Sequence, residues 1–239
     1  MQIGAALGRH AHGAFAAATL VALSVVQTAA MGRPASAGSI SGRVVLTARV
    51  RGAALPTNAY LPRAVSLPAA SSDQPELRNV VLYLKNAAYA GVLPAMHRQI
   101  RQEHEAFVPR VVAVTRGSVV DFPNGDPFFH NVFSLSAAST FDLGRYPDTH
   151  SRSRQFTKAG LVKVYCHIHS QMSASILVLD HPYFAMPDDT GGFALPDVPE
   201  GEYSLVAWHE RVGQQISKVI VQAGQASTVE IKLPVVEPR

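Results

Sequence analysis

The single cysteine of the chain stands in Tyr165-Cys166-His167-Ile168-His169-Ser170-Gln171-Met172. A histidine follows it at the third position and a methionine at the third beyond that, and His130-Asn131 lies upstream. A thiolate, two imidazoles and a thioether make a donor set suited to copper. Soft sulfur favours Cu(I), imidazole accepts either oxidation state, and a trigonal site with a long axial thioether bond lets the ion change charge with little movement. The expected chemistry is one-electron transfer. Zinc accepts the same thiolate and imidazoles in a tetrahedral arrangement, so residue types alone leave the choice of metal open. A buried, inert cysteine acting as a small hydrophobe is the plainer alternative. It leaves the histidines and the methionine at ligand spacing without an explanation.

The start of the chain bears on how that cysteine is read. Arg9 with its neighbouring histidines, the uncharged run Ala14–Ala30 and the A-x-A site Ala35-Ser36-Ala37 have the layout of a secretory signal peptide. Removal of residues 1–37 is expected, leaving a periplasmic or secreted protein with no membrane span. A run of about 17 residues rich in Ala and Thr is short for crossing a bilayer. Outside the cytoplasm a lone cysteine staples nothing internally, and an exposed thiol is open to oxidation. A metal is the better use for it.

The 239 residues carry a formal net charge of +4. No block of Lys and Arg interleaves with aromatics, which removes the basis for nucleic-acid binding. No Ser-His-Asp set, paired carboxylates or Gly-rich phosphate loop is evident, so an enzyme is not expected. His167 and His169 do form an H-x-H pair of the kind that bridges to a second, catalytic copper in copper enzymes. The further histidines such enzymes need are missing from the pattern. Adjacent residues on an extended segment point to opposite sides, so His167 is expected to face away from the metal of Cys166. Met96, His97 and His104 are the residues available for a second, weaker copper site. His209 is expected to be structural.

The elements that must position these side chains read as β throughout. Short runs of Val, Ile, Leu, Phe and Tyr recur between Gly, Pro, Asn and Asp punctuation. The clearest are Ile40–Leu46, Val80–Leu84, Val111–Thr115, Ser118–Phe122, Asn131–Leu135, Leu161–Tyr165 and Ser175–Leu179. Gly192–Leu195, Tyr203–Trp208, Ile216–Val221 and Thr228–Leu233 follow. The run His97–Ala106 (HRQIRQEHEA) is expected to form a short helix. Arg51–Pro75, rich in Pro, Ala and Ser, is expected to be a long loop, and polar Phe141–Thr157 to cover one end of the second sandwich.

Two stretches resemble known families. Phe107-Val108-Pro109, Val111–Val114, Gly117-Ser118-Val119-Val120, Phe129-His130-Asn131-Val132 and the Cys166–Met172 loop resemble the cupredoxins, the family of plastocyanin, azurin and amicyanin. The short C-x-x-H-x-x-M spacing is similar to that of amicyanin. The resemblance implies a Greek-key β-sandwich over residues 92–181 holding one type 1 copper ion. His130, Cys166 and His169 are then strong equatorial ligands and Met172 the weak axial one, with Asn131 tying the two ligand loops together.

The second stretch runs from Asp188-Asp189-Thr190-Gly191-Gly192-Phe193 to Pro199-Glu200-Gly201-Glu202-Tyr203. With Gly38–Val44 it resembles the carboxypeptidase regulatory-like, transthyretin-like sandwich. That implies a second, smaller β-sandwich made of residues 38–91 and 182–234, interrupted by the copper-type segment. The whole is similar to exported bacterial proteins grouped as methylamine-utilization or plastocyanin-like. The implied function is a periplasmic carrier of single electrons between a redox donor and acceptor, with His169 as the electron port. Copper delivery or buffering, and a partner-binding module with a structural metal, are the other functions the pattern allows.

Overall fold

A computed structural model of the chain describes residues 37–47 and 76–234. The expected signal peptide (apart from Ala37) and the expected loop at 51–75 lie outside the described residues. In chain order the strands begin with β1 (Ala37–Leu46), β2 (Val80–Lys85), β3 (His97–Gln99), β4 (Arg101–Glu103), β5 (Ala106–Val108) and β6 (Val111–Thr115). They continue with β7 (Val119–Pro123), β8 (His130–Ser136), β9 (Ser139–Tyr146), β10 (Ser151–Gln155), β11 (Gly160–Tyr165) and β12 (Ser173–Leu179). The last are β13 (Phe184–Ala185), β14 (Gly192–Pro199), β15 (Gly201–His209), β16 (Gly213–Val221) and β17 (Ala226–Leu233). One 3₁₀ turn, Glu76–Asn79, precedes β2. The described residues are all-β, and each of the eleven apolar runs falls on a strand.

Strands from the two ends of the chain share sheets. One sheet has the order β14-β1-β17 and another β13-β2-β15-β16. Between them lies one apolar cluster, which includes Ile40 and Val44 of β1, Leu82 and Leu84 of β2, Phe193 of β14, Leu205 of β15 and Ile231 of β17. The middle of the chain makes a five-stranded sheet, β6-β12-β11-β8-β9, and a three-stranded one, β10-β7-β3. Val112, Val120, Phe122, Val164 and Ile176 meet between these two, together with Cys166 and Met172. We refer to the two pairs of sheets as the outer and the central sandwich.

Strand chemistry explains how the sandwiches meet. A strand buried on one face alternates apolar and polar residues; one buried on both faces reads as a continuous apolar run. β2 (Val-Val-Leu-Tyr-Leu) and β6 (Val-Val-Ala-Val-Thr) are of the second kind. The alternate residues Val81 of β2, Val111 and Ala113 of β6 and Leu177 and Leu179 of β12 form a third cluster, with Tyr83 and Trp208 against it. Burying each such Val or Leu side chain stabilises by about 1.5–3 kcal/mol. At its edge the carboxylate of Glu210, 4% exposed, forms ion pairs with Arg110 and with Lys163 at 3.3 Å. It also accepts a hydrogen bond from Ser175 Oγ at 2.8 Å. Lys163 and Ser175 face each other on β11 and β12, the two strands that flank the cysteine loop.

The turns match their sequence signals. Asp188 Oδ1 accepts from the amides of Thr190 and Gly192. Gly191 sits at φ +85°, where a Cβ would lie 2.1 Å from the Val44 carbonyl oxygen, so only glycine fits.

Two expectations fail. His97–Ala106 is not a helix: it makes β3, β4 and the turn into β5. The buried residues Ile100 and Gln102 recur at the strand period of two, and His104 and Glu105 take positive φ (54° and 55°), which ends any helical path. Phe141–Thr157 is not an end cover but supplies most of β9 and all of β10, edge strands of the two central sheets. Polar side chains suit strands with one open edge.

Candidate metal centre

β11 is the apolar strand Leu161-Val162-Lys163-Val164-Tyr165, and Cys166 follows it directly, only 4% exposed. The chain then turns: the amide of Met172 donates to the carbonyl of His169 at 3.0 Å, closing the loop before β12 begins. This tight closure brings His169 back over the cysteine. His130 opens β8 and is fully buried. One donor atom each from His130, Cys166 and His169 lie within 4.8 Å of one another, and among the described residues no other group of three or more His, Cys, Asp or Glu is so compact.

The atoms that converge are Nδ1 of His130, Nδ1 of His169 at 3.1 Å from it, and Sγ of Cys166 at 3.9 Å from it. Metal–nitrogen bonds near 2.0 Å and metal–sulfur bonds near 2.3 Å, at angles of about 100–130°, place donors roughly 3.1–3.9 Å apart. The donor set therefore fits a thiophilic metal ion. Met172 is buried in the apolar cluster that also contains Cys166.

The orientation of His130 has an identifiable cause. Its Nε2 lies 2.8 Å from Oδ2 of Asp126. Asp126 is itself buried and accepts from the amides of His104 at 2.7 Å and Glu105 at 2.9 Å. Burial pushes its carboxyl up, but the Glu105 amide, the His130 ring and the His104 amide together outweigh that and hold it below the usual carboxylate range. An ionised carboxylate only accepts. Nε2 of His130 therefore carries the proton, and the lone pair of Nδ1 points at Cys166 and His169.

Asn131 donates from Nδ2 to Asp142 Oδ1 at 2.6 Å, and its Oδ1 accepts from the amide of His167 at 3.4 Å. It thus links the first histidine's strand to the cysteine loop. His167 is exposed, its ring 3.7 Å from that of Phe133, so it faces away from the trio. His169 is half-buried. Phe128 packs on both histidines, with ring centroids 5.2 Å from His130 and 5.5 Å from His169. Phe128, Phe129 and Ile168 leave an apolar surface at this end of the sandwich.

Met96, His97 and His104 are not brought together. The Met96 amide donates to Ser118 Oγ, His97 pairs with Asp121 at 2.7 Å, and His104 sits in the turn between β4 and β5. His209 is fully buried in the outer sandwich: Nε2 lies 3.2 Å from Glu76 Oε2, and Nδ1 accepts from the Arg211 amide at 3.2 Å. Sequence reasoning missed Asp126 and Phe128. The only available signal was a carboxylate four residues before the histidine, inside a Pro-Asn-Gly-Asp-Pro turn.

No protein-family model matches the chain, and no curated protein matches it. Among solved structures it is similar to a Cu-containing nitrite reductase from Thermus scotoductus SA-01. The identity is 23% and the TM-score 0.35, over 40% of this chain and 25% of that one. The alignment thus spans a quarter of the reductase's length. It is also similar to amicyanin from Paracoccus versutus, with 21% identity and TM-score 0.33 over 36% of this chain and 85% of that one. A purple cupredoxin from Nitrosopumilus maritimus matches with 19% identity and TM-score 0.31, over 34% of this chain and 98% of that one.

Proposed function

We propose that the chain is a type 1 copper protein that carries single electrons between redox partners outside the cytoplasm. In this reading residues 92–181 are a cupredoxin domain inserted into a transthyretin-like sandwich of residues 38–91 and 182–234. One observation carries the reading: the buried sulfur of Cys166 and the Nδ1 atoms of His130 and His169 converge, one donor atom from each residue lying within 4.8 Å of the others. His130, Cys166 and His169 would hold the ion, with Met172 as the weak fourth ligand. Bound there, copper supplies a Cu(II)/Cu(I) couple at a site with little room to rearrange.

The protein's own part is to hold and to connect. Cys166 closes an apolar strand and is shielded from water. Asp126 fixes the His130 ring. His169, half-buried beside Phe128, reaches the apolar surface and is the port through which a partner exchanges electrons. The exposed side chains of Phe128, Phe129 and Ile168 give a partner an apolar surface on which to dock. No helix among the described residues is long and apolar enough to cross a membrane. A mature protein released after cleavage near Ala37 is the proposed form.

The test is voltammetry of the copper-loaded mature protein beside a Cu(I) chelator challenge. A carrier gives a reversible one-electron wave and keeps its copper on reduction. Loss of copper to the chelator within one reduction cycle would instead mark the chain as a copper-delivery protein.

A further inference from the structure

The turn between β4 and β5 contributes no ligand, yet it reaches both segments that do. Its two central residues, His104 and Glu105, have φ of 54° and 55°. Side chains disfavour that left-handed region, and tight hairpin turns of this kind ordinarily use Asn and Gly. Neither is present here. What replaces them is an external partner: both consecutive amides donate to the carboxylate of Asp126. Successive amides converging on one anion form a small anion-binding concavity. The other oxygen contact of that carboxylate is His130 Nε2.

The same turn extends to the second ligand loop. Oε2 of Glu105 accepts a hydrogen bond from Nε2 of Gln171 at 2.8 Å, and Gln171 stands between His169 and Met172. The base of the hairpin is anchored as well. The Gly125 amide donates to the Gln102 carbonyl at 2.9 Å, in the turn that leads to His130. The Gln102 side chain, fully buried, donates to Tyr146 Oη at 2.5 Å, and Tyr146 pairs with His130 across β8 and β9.

We propose that the His104-Glu105 turn is a latch that sets the separation of the two ligand-bearing segments. It acts through Asp126 on the tautomer and angle of His130, and through Glu105 on the Cys166–Met172 loop. Asp126 and Glu105 are positioning residues; neither touches the metal. The copper readouts below rest on the type 1 reading above, whereas the tautomer readout does not. Outer partners of a metal-bound histidine fix its ring and typically alter metal affinity 10- to 100-fold when removed.

The experiment has a metal-free and a metal-loaded arm. In the copper-free protein, nitrogen NMR of the imidazoles should find His130 in a single Nε2–H tautomer, lost in Asp126→Ala. In the loaded protein Asp126→Ala should weaken copper about 10- to 100-fold. It should also broaden the copper hyperfine pattern and raise the reduction potential, since a negative group behind the ligand has gone. Glu105→Ala and Gln171→Ala, both exposed and safe for folding, should each speed copper release. The double variant should do no more than either alone, because they share one bond. Glu105→Gln should restore the wild-type rate, since an amide oxygen still accepts from Gln171.

A His130 tautomer unchanged in Asp126→Ala would overturn the Asp126 half of the latch. Additive effects of Glu105→Ala and Gln171→Ala would overturn the Glu105 half. A wild-type protein that takes up no copper would overturn the proposed function while the tautomer measurement still decides the Asp126 half. Should Asp126→Ala fail to fold, Asp126→Asn serves. Its one oxygen still accepts from His130 Nε2 and the Glu105 amide while its NH2 opposes the His104 amide. The Nε2–H tautomer should therefore persist while copper is held more weakly, and an unchanged copper affinity would overturn the Asp126 half.

Discussion

His130 and His209 are both fully buried, and each has a carboxylate beside Nε2: Asp126 for the first, Glu76 for the second. They differ at Nδ1. In His209 that nitrogen accepts from the Arg211 amide, and the Arg211 side chain pairs with Glu76 in turn, so both ring nitrogens and both carboxylate oxygens are met by protein. In His130 it meets another imidazole nitrogen and a thiol sulfur. A backbone amide closes the His209 cluster, whereas a second imidazole nitrogen and a sulfur, both metal-binding atom types, face His130. Burial and a carboxylate partner are common to both, so the contrast teaches that neither separates a candidate ligand from a structural histidine.

The sharpest way to break this comparison is to delete each ring in turn. His130→Ala should lower copper affinity by more than about 100-fold, beyond what outer partners contribute. His209→Ala should leave the copper spectrum unchanged and destabilise the copper-free protein by about 2–4 kcal/mol in urea, as a buried, hydrogen-bonded group is lost. Copper binding that survives His130→Ala, or vanishes in His209→Ala, would undo the distinction.

A second variant tests whether the two regions are mechanically joined. Leu177 faces the cluster between the sandwiches, so Leu177→Ala should cost about 2–4 kcal/mol of stability by leaving a cavity, with one cooperative transition retained. Two separate transitions in calorimetry would mean that the sandwiches unfold independently. Glu210→Gln should cost less, about 1–2 kcal/mol, because Arg110 and Lys163 can turn to water while the amide still accepts from Ser175.

The smallest effect is a pH dependence confined to the His209 cluster. Burial raises the Glu76 carboxyl, but its bonds to His209 and Asn79 and the charge of Arg211 prevail, holding it below the usual range. A depressed carboxyl contributes stability that is full above about pH 4.3 and is lost as pH falls through the folded value. The stability difference between wild type and Glu76→Gln should therefore shrink from about pH 5 downward in acid titrations of the copper-free protein. A gap that widens there would reverse the assigned sign.

The strands around the site were readable because apolar residues repeat at period two, and the trio because its residue types are rare and ordered. What stayed hidden had physical reasons. β10 carries exposed Arg152 and half-buried Arg154, whose guanidinium groups lie over Tyr146 at 5.3 Å and Phe141 at 5.2 Å. An arginine stem covering an aromatic ring serves as apolar surface, and no hydropathy pattern reports it. In the segment His97–Ala106, expected as a short helix, Gln102 is buried with a hydrogen bond to Tyr146 that no local pattern announces. Asp126 was legible only as a turn residue, since its contact with His130 depends on how the turn folds back.

The most direct test of the central claim is the visible absorption and EPR spectrum of the Cu(II)-loaded protein beside Cys166→Ala. An intense blue charge-transfer band with narrow copper hyperfine splitting, absent from the variant, is the predicted result. An ordinary weak Cu(II) spectrum that survives the substitution would contradict the account.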